Sequence, residues 1–234
     1  MNKILTKISN LFKENKIKYV LDSGTLLGII REKNLILGDG DIDFAIWGED
    51  IKKLENLLPD FIKLGYLIKK EYYRGLLYSY SLLPKKQDLI EVDIKIFREK
   101  DDFNWCPVRY ANNSWKKDFS YYKSKFFRMP FLLLLKILPR SPLKRRASER
   151  ILKEFFVSST WVVSKDYLDK NKIINVLGFS VPKNWKGYLD YKYGEWRTPK
   201  KDWNYIIQDK TLIHKSPEEL NLIKGYSNCA SVYV

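Results

Sequence analysis

Histidine is almost missing from this chain: His214 is the one copy in 234 residues. Cysteine is scarce too, with Cys106 and Cys229 far apart and lacking metal-ligand spacing. Together these shortages exclude a zinc centre built on nitrogen and sulfur, which needs three or four such ligands. A reduced, intracellular protein is the expectation that follows. Nor does the opening read as a secretory signal. The opening "MNKILTKISNLFKENK" has basic residues but no continuous apolar core. Its apolar positions Ile4, Leu5, Ile8, Leu11 and Phe12 recur at helical spacing and predict an amphipathic helix.

A membrane span is absent from the pattern as well. The longest apolar run, "FFRMPFLLLLKIL" at 126–138, would reach about 20 Å as a helix, against a hydrocarbon layer of about 30 Å. Arg128 and Lys136 would each cost about 3 kcal/mol near the bilayer centre, and Pro130 breaks the hydrogen-bond ladder. Internal repeats and low-complexity linkers are missing too. What is abundant is positive charge and apolar bulk. A formal charge of +15 points to an anionic partner, whether nucleic acid, phosphorylated ligand or membrane surface. Hydrophobic content of 45% with 15% aromatics is ample for a packed core.

The predicted elements are a first helix, a short strand at "KYVL" and the turn "DSGT", which opens a helix running to about Arg31. Then come the strand "DIDFAIW" and a helix from about Asp50 to Leu58, stopped by Pro59. The runs "YLIKKEYY", "LLYSYSLL" and "LIEVDIKIF" follow as an antiparallel meander. The fold expected is α+β: a compact core over residues 1–100, with a mostly helical remainder over 101–234 built onto it.

Against the positive surplus, three aspartates crowd the six residues "GDGDID". On a strand, alternate residues share a face, so Asp41 and Asp43 point one way while Ile42, Phe44 and Ile46 anchor the other. Two carboxylates about 4 Å apart repel by about 4 kcal/mol at an effective dielectric of 20, a cost that a bound cation removes. "EVDIKIF" repeats the alternation, with Glu91 and Asp93 on one side. Neighbouring strands presenting Asp41, Asp43 and Asp93 together would make a hard oxygen site for magnesium or manganese, suited to phosphoryl transfer. The turn before them supplies Gly24, Thr25 and a helix start, a candidate phosphate cradle that also reads as an ordinary helix cap.

"GTLLGIIREKNLILGDGDID" resembles the signature of the LicD/fukutin family, G-T/S-L-L-G-x-x-R followed by W-D-x-D-x-D. Asp39 stands at the earlier acid and Arg31 at the arginine. A second block, "VPKNWKGYLDYKYGEWRTP" at 181–199, resembles the family's P-x-x-W/Y-x-x-Y-L-x-x-x-Y-G-x-x-W-x-x-P. The chain departs from the pattern at Leu37, Gly38 and Gly40, which alters the loop before the metal strand. It also lacks the cysteine insertion of animal members. The resemblance implies a nucleotidyltransferase-like mixed sheet flanked by helices. It implies a magnesium- or manganese-dependent phosphotransferase that takes a phospho-alcohol from a CDP-linked donor to a glycan acceptor, with Asp41, Asp43 and Asp93 as catalytic metal ligands. Gly24, Thr25, Arg31 and Asp39 would bind donor phosphate, together with Arg197 and Lys200 after the second block's turn.

Between Lys116 and Lys153 stand twelve Lys/Arg residues against two acids. The cluster around Arg140, Lys144, Arg145 and Arg146 reads either as an interfacial segment on anionic lipid or as part of a helix covering the sheet. The first would put the protein on the inner face of the cell membrane, near a lipid-linked acceptor. In the second block Tyr188, Leu189, Tyr193 and Trp196 recur at helical spacing as core residues. Trp185, Trp203 and Tyr205 are either core or a platform for a base or sugar. His214 reads as a surface or satisfied residue. Two other functions fit less of the sequence. A nucleotidyltransferase releasing pyrophosphate would use the same carboxylates. A non-catalytic basic module binding RNA or lipid would leave them idle, and no RNA-binding aromatic signature accompanies it.

Overall fold

The computed structural model describes residues 2–111, 156–200, 202–223 and 230–233. The first helix, α1 (Lys3–Glu14), is capped by the Asn2 side chain, which accepts from the Ile4 and Leu5 amides. Its apolar face buries Leu5, Ile8 and Phe12. Phe12 meets Phe44 edge-on and Tyr19 at a tilt, with ring centroids 5.2 and 5.3 Å away.

Strand β1 (Tyr19–Leu21) pairs antiparallel with β2 (Asp41–Trp47), and α2 (Ser23–Arg31) lies between them in sequence. The helix expected to end at Pro59 is two short helices, α3 (Ile51–Asn56) and α4 (Leu58–Lys63). Pro59 opens the second rather than closing the first, since the first turn of a helix has no use for the missing N–H. The meander then forms as β3 (Tyr66–Tyr73), β4 (Leu76–Pro84) and β5 (Glu91–Lys100), antiparallel throughout.

β5 is the junction of the molecule. Residues 91–97 pair in parallel with β2, and 98–100 pair antiparallel with β6 (Phe103–Ala111). β7 (Phe156–Ser164) continues the sheet, followed by the short β10 (Leu212–Ile213), while β11 (Ala230–Tyr233) closes the far edge against β3. A separate hairpin, β8 (Ile173–Val176) with β9 (Phe179–Pro182), sends Phe179 and Val181 into the main core. The helices α5 (Trp185–Tyr193) and α6 (Tyr205–Gln208) complete the described elements.

The mixed α+β class is therefore as expected, but a mostly helical second half is not what the described residues form. Beyond residue 101 they carry six strands, β6 to β11, and only two helices. "FNWCPVRYA" and "FVSSTWVVS" are rich in aromatic and β-branched residues, which suit a pleated, half-buried surface. The apolar run at 126–138 and the basic cluster at Arg140, Lys144, Arg145 and Arg146 lie outside the described residues. Among those residues, no helix is long and apolar enough to cross a membrane.

Candidate active site

β2 is anchored as its alternation requires: Ile42, Phe44 and Ile46 are fully buried, and Asp43 is 7% exposed on the other face. The parallel register sets Asp41 beside Glu91 and Asp43 beside Asp93. Asp41, Asp43 and Asp93 thus occupy one end of two adjacent strands and line a single cavity of about 930 Å³. Gly24, Arg31, Asp39 and Lys200 line the same cavity.

Their electrostatics are those of crowded carboxylates. Burial, then the charges of Asp43, Asp39 and Asp93, pushes the Asp41 carboxyl up to about 7. Burial pushes Asp93 up to about 6, with the charges of Asp43 and Glu91 helping and a Ser81 hydrogen bond opposing. Asp39 is raised by burial and by Asp43. Among the described residues, Asp93 Oδ1 is buried without a hydrogen-bond partner. No three His, Cys, Asp or Glu side chains there converge tightly enough to form a ready-made metal cage. Apart from the Asp43 oxygen held by Lys95, these acid oxygens have no ion-pair partner among the described residues, and oxygens of this kind are the donors that a hard divalent ion takes. Asp41, Asp93 and the Asp43 oxygen not held by Lys95 are the residues that could hold one.

The other expected residues fall in distinct places. Thr25 is fully buried behind the strand, where its hydroxyl accepts the Asp43 amide at 2.9 Å; it fixes β2 rather than facing the cavity. The Asp22 amide donates to the Asp43 carbonyl at 3.1 Å, so the start of α2 is stitched to the strand twice. A Cβ on Gly24 would stand 2.3 Å from Asp39 Oδ2, so the Asp39 carboxylate fills the space that this glycine leaves. Arg31 donates to the Trp196 carbonyl at 2.9 Å and pairs with Glu32, tying α2 to the second sequence block. Arg197 lies away from the cavity, its guanidinium 4.5 Å over the Trp196 ring and 3.5 Å from Asp190. Lys200 reaches over Trp203. Trp203 and Tyr205 line the cavity, whereas Trp185 packs against Trp196. His214 is exposed and bonded to the Tyr110 hydroxyl.

Sequence reasoning missed a buried ionic chain beneath the carboxylates. Lys95 Nζ is 2.9 Å from Asp43 Oδ1 and 3.1 Å from Asp22 Oδ2. Asp22 also accepts from the Tyr188 hydroxyl at 2.7 Å, and Lys192 bridges Asp22 at 3.7 Å and Asp209 at 3.2 Å. Burial would raise the Asp22 carboxyl, but Lys192, Lys95 and the Tyr188 bond outweigh it and hold it well below the usual carboxylate range. Asp22 sits at the N-cap of α2 yet makes no cap bond, because its oxygens are committed to this chain. The available signals were weak: Lys95 shares the face of Asp93 by alternation, and Lys192 follows Tyr188 by one helical turn.

Residues 16–142 match the LicD/FKTN/FKRP nucleotidyltransferase domain. The chain belongs to this family. The matched interval holds every carboxylate of the cavity floor named above together with Lys95, while Lys192, Arg197 and Lys200 lie beyond it. Two curated relatives resemble shorter stretches. An uncharacterized protein of Rickettsia prowazekii (strain Madrid E) is 44% identical over 61 residues, 26% of this chain and 23% of its own length. One of Rickettsia typhi (strain ATCC VR-144 / Wilmington) is 46% identical over 59 residues, 25% and 19% respectively. The chain thus spans less than a quarter of the length of the curated relatives it matches.

Proposed function

We propose that this LicD-family chain is a metal-dependent phosphotransferase that moves a phospho-alcohol, such as phosphocholine or ribitol phosphate, from a CDP-activated donor to a cell-surface glycan. The observation that carries this reading is the parallel register of Asp43 with Asp93, which gathers the acidic positions at one end of a large cavity. One divalent ion, Mg2+ or Mn2+, would be held by Asp41, Asp43 and Asp93, and would neutralise the donor's diphosphate.

The chain's own residues account for the remaining steps. Arg31 and Lys200 bring positive charge to the cavity wall for the donor phosphates, and Trp203 and Tyr205 offer ring faces to a base or sugar. The acceptor hydroxyl attacks the phosphorus that carries the alcohol, and the bond from that phosphorus to the bridging oxygen breaks to release CMP. Asp39 or Asp93, both raised above ordinary carboxylates, receives the hydroxyl proton. Lys192, itself paired with Asp209, reaches Asp22 beneath the site, which supports reading residues 101–234 as completing the core of 1–100. The basic segment at 140–146 would hold the protein on the inner, cytoplasmic face of the membrane beside a lipid-linked acceptor.

A thermal-shift panel of CDP-choline, CDP-ribitol, CDP-glycerol and nucleotide sugars, with and without magnesium, tests the reading. A ligand that binds the native state raises the melting temperature by mass action. A magnesium-dependent rise with one CDP-alcohol is the expected outcome. A rise with nucleotide sugars alone contradicts it.

A further inference from the structure

A lysine ammonium has three donors, and each of those on Lys95 faces an oxygen: Ser23 Oγ at 2.7 Å, Asp43 Oδ1 at 2.9 Å and Asp22 Oδ2 at 3.1 Å. The side chain is 9% exposed, with the Trp161 ring 4.8 Å from the ammonium. On the far side of Asp22, Lys192 stands between Asp22 at 3.7 Å and Asp209 at 3.2 Å. Withdrawing Lys95 would strand Asp22 and Asp43 without their shared cation in a dry site, so the ammonium is a permanent part of the floor. By contrast, Asp39, Asp41 and Asp93 have no lysine or arginine within ion-pair distance among the described residues.

Two-metal phosphoryl-transfer sites set their ions about 4 Å apart and join them through shared oxygens. Asp43 is the acid placed to be shared here, and one of its oxygens already belongs to Lys95. We infer that Lys95 permanently occupies the cation position that a second metal ion would take, so that the site binds a single divalent ion on Asp41, Asp93 and the remaining oxygen of Asp43. Lys95 is thus a positioning residue. It fixes which Asp43 oxygen faces the ion, and it sets a constant positive charge between the acids and the turn at Ser23 and Gly24. This inference rests on the metal assignment of the proposed function.

The test is the number of Mn2+ ions bound per full-length chain, read from the loss of the free Mn2+ resonance during titration at neutral pH. One ion per chain is expected for the native protein. Lys95→Ala opens the three-oxygen pocket and admits a second, weaker ion, while Lys95→Met fills the pocket without charge and keeps the count at one. Melting of the metal-free variants checks that they fold, and the native count decides the question even where a variant does not. Two ions of comparable affinity in the native protein overturn the inference and leave the metal assignment standing. A folded Lys95→Ala that still binds only one ion also overturns it. No bound ion at all removes the metal assignment and the inference together.

Discussion

Asp43 and Lys95 lie on adjacent parallel strands, on the same face and two positions out of register, and their side chains meet at 2.9 Å. That pair joins two systems. Above it stand acids lacking an ion pair among the described residues; below it runs the buried chain through Asp22 to Lys192 and Asp209. Strand β2 is therefore held by charge as well as by its apolar face.

Asp22 is the hub of that chain, so its loss should be felt in stability. Asp22→Asn leaves two buried lysines short of a carboxylate, and destabilisation of about 3–5 kcal/mol is expected in urea unfolding. The pH dependence follows from the depressed carboxyl. Its contribution is present above the unfolded value of about 4 and is lost as pH falls below that value towards the folded one. The acid-limb slope of stability should accordingly be shallower in Asp22→Asn than in the native protein.

The upper acids give the opposite sign. Asp41, pushed up to about 7, and Asp93, pushed up to about 6, hold protons in the folded metal-free protein that the unfolded chain would release. Their contribution to stability is full below about 4 and declines as pH rises towards about 7. Melting temperatures of metal-free protein should fall across that window relative to protein with saturating Mg2+. Calorimetric titration near pH 6 in two buffers of different ionisation enthalpy should show proton release on metal binding.

Two glycines of α2 should respond differently to the same substitution. A Cβ on Gly28 would meet the Asn34 carbonyl at 2.6 Å and the Ile36 amide at 3.0 Å, both backbone, so Gly28→Ala should cost about 1–3 kcal/mol. A Cβ on Gly24 meets only the end of the Asp39 side chain. Gly24→Ala should stay within about 1 kcal/mol of native stability while displacing Asp39, and turnover should drop by up to about a hundredfold. Denaturant melts alongside rate measurements separate the two effects.

How much of this was legible depended on the range of the interaction. Period-two alternation sets strand faces locally, and "DIDFAIW" and "YLIKKEYY" became β2 and β3 at the expected bounds. The pairing of β2 with β5 entered the sequence reading only as the condition for a shared acid site, and its parallel sense was not legible there. Pro59 misled because the same residue that ends one helix can begin another. The buried chain was not legible: Asp22 meets partners 73 and 166 residues away, and at short range "DSGT" looks like a helix cap. Lys95 shares its face with Asp93, but a lone lysine on a strand normally signals solvent. The strands described beyond residue 101 were hidden because basic and aromatic residues are frequent there, while their pairing partners lie far along the sequence.

The most direct measurement of the central claim is product analysis with a CDP-alcohol donor, a glycan acceptor and Mg2+, comparing the native chain with Asp41→Asn and Asp43→Asn. CMP and a phospho-alcohol-bearing glycan are expected from the native chain, and no turnover from either variant while both remain folded by circular dichroism. Release of pyrophosphate from a nucleoside triphosphate would contradict it, as would native rates in a folded Asp43→Asn.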